Sequence, residues 1–274
     1  MAAAKAEGAS WEKRHTQVAL IALCSAINYA DRVNISIAVV EMKTSFGWSM
    51  ATQAIVLSSF FWGYICSQVV GALLAQRYGG KAVLGAAGLT WSVLTCLTPL
   101  AAAAGMAPLL LCRVGLGVSE GFLIPVNSHI VAGWVPPEER ARAVSAVIAG
   151  CNCGTIAAFL FAPTIMVTMG WPACFYIFGS VGFLWFAAWQ IYAEDAPLDD
   201  KGAAAREEGV WAQLRGQGKM AGRMLSSKCV WAITVCHWCS GVGAYIGLAW
   251  FPTYFSTVWG VPRAQLGLTV LPCK

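Results

Sequence analysis

Ser25-Ala26-Ile27-Asn28-Tyr29-Ala30-Asp31-Arg32-Val33-Asn34-Ile35-Ser36 lies inside an otherwise apolar run from Thr16 to Val40. That run is long enough for a helix to cross a hydrocarbon core, which takes about 20 residues. An acid or an arginine at bilayer depth costs about 2.5–3.5 kcal/mol even on the lenient insertion scale, so such residues mark a substrate or ion path. Ser25, Asn28, Arg32 and Ser36 recur at spacings of three and four and form one polar stripe. Asp31 sits about 100° round the helix, with Asn34 and Cys24. Arg32 then has two readings. Its fork of donors can hold a phosphate or carboxylate in a water-filled cavity, or it can close an ion pair with Asp31 or with a neighbouring helix.

Six further apolar blocks of membrane-spanning length follow, near Ala51 to Leu74, Ala82 to Ala104, Ala107 to Val135, Ala143 to Val167, Ala173 to Tyr192 and Val230 to Tyr254. With 58% hydrophobic and only 11% charged residues, against a soluble average of roughly 25% charged, the chain reads as an all-α polytopic membrane protein. The expected organisation is an amino-terminal segment over residues 1–15, a six-helix bundle over 16–193, a linker over 194–228 and a seventh helix within 229–274. The linker, Glu194 to Lys228, is mixed in charge and rich in Gly and Ala, with room for a short surface helix around Trp211 to Met224. Another apolar run has begun by Leu271-Pro272-Cys273-Lys274, so the chain is expected to stop short of a second bundle, as a truncated gene product, a splice form or a fragment.

Lys and Arg are retained on the cytoplasmic side of a membrane. Connections on one side carry 13 of them and the opposite side carries Lys43 and Arg263, which assigns the amino terminus to the cytoplasm. The formal charge of +5 is mostly this bias, and nucleic acid is not an expected partner. No cleavable signal peptide or transit peptide is legible, so plasma membrane and organelle stay open. Eleven cysteines fall almost entirely within apolar helices, where Cys packs as a small hydrophobe. Cys236-His237-Trp238-Cys239 lacks a second ligand pair, so no metal, no cofactor and no catalytic group is expected.

Ionisable residues at membrane depth occur in the first helix (Asp31, Arg32), the fourth (Arg113, Glu120, His129) and the seventh (His237). Three-helix repeats whose first helix lines a central path give that period. Arg113, Glu120 and Asn127 follow seven-residue intervals and stack on one face, with Gly115, Gly117 and Gly121 permitting close helix approach. A carboxylate taken out of water is a candidate proton carrier, which casts Glu120 in that role, or in a purely structural salt bridge. Arg32, Arg113, Asn28 and His237 are the substrate-binding candidates, and Glu120 and Asp31 the proton or cation coupling candidates. The aromatic run Phe60-Phe61-Trp62 with Tyr64 is expected to contact lipid or helices, with a cavity wall as the second reading. The glycine-rich turn Gly71-Ala72-Leu73-Leu74-Ala75-Gln76-Arg77-Tyr78-Gly79-Gly80-Lys81 lacks a preceding strand and a Lys-Ser/Thr ending, so it is a tight turn and not a phosphate loop.

That turn resembles the signature between helices 2 and 3 of the major facilitator superfamily, and Asn28 to Ala38 resembles the helix 1 signature of its anion:cation symporter branch. Arg113 with Gly117, Glu120, Gly121 and Pro125 matches too, as do Trp134-Val135-Pro136-Pro137-Glu138-Glu139-Arg140-Ala141-Arg142, Gly150 and Gly154, Gly170-Trp171-Pro172 with Phe175-Tyr176, and Trp250-Phe251-Pro252-Thr253-Tyr254-Phe255. Ser58 to Tyr64 and Thr95 to Pro99 lean toward the plant and algal phosphate transporters, beside the vesicular glutamate and sialic-acid transporters. The resemblance implies a major-facilitator-type six-helix bundle followed by a linker and a seventh helix. It implies a small anionic substrate, inorganic phosphate or an organic anion, moved with H⁺ or Na⁺ by alternating access. It also implies a gating turn that involves Gly71, Gln76, Arg77, Gly79, Lys81, Glu139 and Arg140. Gln76 stands where the superfamily usually has an acid, and Ala72 where this branch usually has a second glycine, so the inward-closed state is expected to be less stable. The rival readings are a seven-helix receptor and a non-transporting fragment that regulates or assembles with a full-length relative.

Overall fold

The computed structural model describes residues 12–195, 222, 224–262, 265 and 266. The expected surface helix of the linker and the chain end at Leu271 to Lys274 lie outside the described residues, apart from residues 222 and 224. Among the described residues, eight helices follow one another: α1 Lys13–Phe46, α2 Met50–Tyr78, α3 Gly80–Ala104, α4 Met106–Gly121, α5 Leu123–Trp134, α6 Arg140–Met169, α7 Trp171–Tyr192 and α8 Lys228–Thr257. They make seven candidate membrane spans, α4 and α5 together forming one from Met106 to Trp134. The six-helix bundle and the seventh helix are therefore present, and most helices run a few residues past the expected apolar limits. A helix loses nothing by continuing into the interface, where its polar side chains are wet.

Local sequence explains the joints. Gly47 closes α1 in the left-handed conformation, φ +66°, with its N–H on the Lys43 carbonyl. Ser49 caps α2 by accepting from the Thr52 N–H at 3.1 Å, as N-cap serines do. Gly79 (φ +88°) and Gly170 (φ +83°) each stand alone between two helices, capping the end of one and the start of the next, a reversal in one residue that a Cβ would strain. Between α4 and α5, Phe122 keeps helical dihedrals (φ −73°, ψ −21°). Pro125 has no N–H to offer the Gly121 carbonyl four residues back, which interrupts the ladder there.

α1 is the axis of the bundle. It packs chiefly on α6, with α7 and α8 beside it, while α2 packs on α4 and α3 on α7 and α4. A methyl at Gly117 would overlap the Phe60 carbonyl oxygen, and one at Gly154 the Ala26 carbonyl oxygen. These contacts set α4 against α2 and α6 against α1 at the close approach that small residues allow. The outer faces of α2, α6 and α7 expose large apolar side chains such as Ile65, Phe161 and Leu184, suited to lipid. α8 docks through its second half: Gln53 Nε2 donates to Thr253 Oγ1 at 2.5 Å, and the rings of Phe61 and Tyr245 meet edge-on at 5.5 Å. Its first half is exposed.

α7 straps α1 to α3 at the end of the bundle that holds Lys13. Trp185 donates to the Leu20 carbonyl at 3.0 Å and Trp189 to the Lys81 carbonyl at 2.9 Å. Gln17 reaches the Tyr192 carbonyl at 3.2 Å, and Lys13 pairs with Glu194 at 2.8 Å. Asp195 accepts from the Lys81 backbone N–H at 2.9 Å.

Candidate functional site: the charged midsection of the bundle

The four charges of the midsection are all inside the protein: Asp31 is 6% exposed, Arg32 7%, Arg113 4% and Glu120 2%. The two polar stripes zip together in antiparallel register. Ser25 accepts from Asn127 Nδ2 at 3.2 Å. Seven residues on along α1, and seven back from α5 into α4, Arg32 meets Glu120 through Nη2 at 3.0 Å and Nε at 3.2 Å. Nη2 also reaches Asn28 Oδ1 at 3.4 Å. Arg32 thus closes the ion pair with a neighbouring helix, and Glu120, not Asp31, is its partner. Its Nη1 keeps no hydrogen-bond partner.

Three rings enclose the guanidinium. Tyr29 lies 4.8 Å from its central carbon, and Phe60 and Tyr64 lie 4.9 Å away, within the range in which a ring face attracts a cation. The aromatic run of α2 is therefore divided. Trp62 faces outward as expected, whereas Phe60 and Tyr64 form the wall around Arg32. A residue in this wall gives the same hydropathy signal as one facing lipid, so the sequence alone could not separate them.

Arg113 is the second cation and has no ion pair among the described residues. Its Nε is buried without a hydrogen-bond partner, and the guanidinium lies 5.3 Å from the Phe60 ring. Arg113 and Arg32 line one small cavity with Ser36, Phe60, Phe61 and, from α8, Tyr245. At about 30 Å³ it has room for a water or two. Tyr245 was not singled out in the sequence, and the signal that could have found it is its place in the third ion-bearing helix.

The remaining candidates are dispersed. Asp31 lies on the other side of α1 from the Arg32–Glu120 pair, and neither carboxylate oxygen makes a hydrogen bond. His237 is on the exposed first half of α8, two turns before Tyr245, and does not line the cavity. His129 stands near Gly80. Of the turn residues, Gly71 packs against Phe122 at the α4–α5 interruption, and Arg77 lies 5.6 Å from the Tyr78 ring. Arg140 binds the Ala132 and Val135 carbonyls at 2.9 and 3.1 Å, closing the end of α5. Glu139 pairs with Arg14 at 3.5 Å. Gln76 makes no charged contact, but the turn has an acid after all: the Asp195 carboxylate packs directly on Gly79.

Helices that span a membrane, glycine-packed around buried ions, define a polytopic protein with an ion-bearing core. The family model described as Major Facilitator Superfamily matches residues 21–273, and the chain belongs to that family. It is 40% identical over 248 residues to a probable chloroplastic anion transporter 1 of Oryza sativa subsp. japonica, covering 88% of this chain and 47% of that protein. A chloroplastic sodium-dependent phosphate transport protein 1 of Arabidopsis thaliana is 38% identical over 266 residues, 94% of this chain and 52% of that one. A chloroplastic ascorbate transporter of the same plant is 35% identical, covering 96% and 50%. The chain spans about half the length of these curated relatives. Among solved structures, an inward-facing bacterial homolog of the human lysosomal transporter Spinster superposes with a TM-score of 0.77 at 18% identity, over 95% of this chain and 58% of that one. A D-xylose-proton symporter gives 0.66 at 15%, over 94% and 65%. At these identities the likeness is one of fold.

Proposed function

We propose that this chain supplies the first bundle and seventh helix of a secondary anion transporter, with Arg113 and Arg32 as the anion site and a cation, H⁺ or Na⁺, moved with the anion. The observation that carries this reading is Arg113: a guanidinium at bilayer depth, beside a second arginine, with no ion pair of its own among the described residues. Such a cation is costly alone and is suited to a ligand that brings its own negative charge in planar or tetrahedral oxygens. The relatives named for anions, phosphate and ascorbate support that class, inorganic phosphate or an organic anion. The family match also speaks against a seven-helix receptor.

The charge inventory supports coupling. Arg32 and Glu120 cancel one another, and Arg113 and Asp31 bear opposite charges on separate sides of α1, so an added anion calls for an added cation. The sodium-dependent relative supports this too. A cavity of about 30 Å³ is too small for a phosphate, so α8, which contributes Tyr245 to its wall, has to shift to admit one. The residue 1–15, 16–193, 194–228 and 229–274 divisions serve as tail, bundle, linker and start of a second bundle. We keep the amino terminus on the cytoplasmic side, where a tag is shielded from external label in intact cells. The chloroplastic relatives support an organellar membrane.

The test is equilibrium binding of radiolabelled phosphate and ascorbate to the full 274-residue chain in lipid nanodiscs. Arg113→Lys keeps the charge and loses the fork, and hydrogen bonds to charged groups contribute about 1.5–3 kcal/mol, so affinity should fall about tenfold or more while the protein stays folded. Unchanged affinity in Arg113→Lys and Arg113→Ala sinks the anion site.

A further inference from the structure

Asp31 is the mirror image of Arg113. It is a carboxylate at membrane depth with no ion pair among the described residues and no hydrogen bond to either oxygen. The adjacent Arg32 cannot neutralise it, because that guanidinium is turned about 100° away and already holds Glu120. A bare carboxylate in this position has to be protonated or to carry a cation.

Its surroundings discriminate between the two. Asn34, one turn along α1 on the same side, is fully buried, and both its amide nitrogen and its amide oxygen lack partners. Thr95 of α3 is the polar side chain set within hydrogen-bonding reach of Asp31 and is 2% exposed. The other hydroxyls of α3 behave differently. Thr90, Ser92 and Thr98 each donate to the carbonyl four residues back, at 2.8, 2.7 and 2.9 Å. Thr95 does not, and is left with its oxygen free toward α1. A proton on Asp31 is a single donor and can serve only one of the Asn34 and Thr95 oxygens. A bare cation can use both Asp31 oxygens, the Asn34 oxygen and the Thr95 oxygen together. Oxygen donors alone select a hard ion. A single negative charge, with no group of three His, Cys, Asp or Glu side chains among the described residues, suits a monovalent one. α7 packs on α3 next to Thr95, with Gly179 against Cys96 and Gly182 against Ser92.

Resting on the reading that a cation accompanies the anion, we infer that Asp31, Asn34 and Thr95 form a binding site for a desolvated sodium ion between α1 and α3, separate from the anion site on the other flank of α1. Sodium occupancy and anion occupancy then act on one helix from opposite sides.

The experiment is equilibrium binding of ²²Na⁺ to the full 274-residue chain in nanodiscs, with choline or potassium holding ionic strength, beside radiolabelled phosphate binding on the same samples. The wild type should bind sodium saturably and choline or potassium should not displace it. Asp31→Asn should abolish binding, Thr95→Val, a near-isosteric change that keeps the fold, should weaken it at least tenfold, and Ser92→Ala should leave it unchanged. Phosphate bound without sodium overturns the cation site and leaves the anion reading standing. Sodium bound without phosphate supports the site and removes the anion reading. Sodium bound undiminished by Thr95→Val or Asp31→Asn overturns the assignment, and binding of neither ion overturns both.

Discussion

Two neighbouring residues of α1 meet opposite environments. On the Arg32 flank the charge is fully answered: a carboxylate at 3.0 Å, an amide oxygen at 3.4 Å and three aromatic faces within 5 Å. On the Asp31 flank the charge is buried as deeply and no opposite charge pairs with it. The first flank contributes to holding the bundle together without any ligand. The second contributes strain until something binds or a proton arrives. A helix can thus be structural on one side and ligand-dependent on the other, and burial alone does not tell which side is which.

The largest expected effect separates the flanks directly. Removing one partner of a buried pair leaves an uncompensated charge and costs about 3–5 kcal/mol, so Glu120→Ala should lower thermal stability in sodium-free detergent or nanodiscs by that amount. Asp31→Asn removes a charge that has no partner, and should melt at or above the wild-type temperature under the same conditions. An equal loss in both variants would break the comparison.

The next effect is smaller and tests whom Glu120 answers. Replacing a buried pair by apolar residues of similar volume is often neutral or stabilising. Arg32→Met with Glu120→Met should therefore recover most of what Glu120→Met alone loses. Arg113→Ala with Glu120→Ala should recover little, because Arg113 is not paired with it. Recovery in the Arg113 double variant would make Arg113 the true partner. The smallest effect concerns the rings: Tyr64→Leu removes one cation–π contact, worth about 0.5–2 kcal/mol. It should lower stability by that much in the wild-type background and by nearly nothing in Arg32→Met.

The periodic parts of this arrangement were legible in the chain. Ser25, Asn28, Arg32 and Ser36 fall on one stripe, and Arg113, Glu120 and Asn127 on another, by helix arithmetic alone. Their meeting in antiparallel register is a matter of which helices pack, and nothing local fixes that. Glu120 could equally have been read as the partner of Arg113, one heptad away on its own helix. Thr95 entered only through the Thr95 to Pro99 resemblance and carried no sign of a site, since a threonine in an apolar helix normally bonds its own carbonyl. The interruption at Phe122 was written in Pro125 but hidden by an apolar run continuous enough to read as one span. His237 had the chemistry of a site residue and lacked the position. The acid that packs on the turn, Asp195, lies far along the chain, and no reading confined to the turn could have supplied it.

The strap that α7 makes across α1 and α3 bears on mechanics. Close-packed interiors are stiff and pass strain on, and here two indoles, a glutamine, a lysine and two carboxylates tie three helices together at one end. A lever delivers at its far end only what it does not absorb along its length. With those ties in place, torque applied near Glu194 and Asp195 is passed to α1 and α3 together at that end of the bundle.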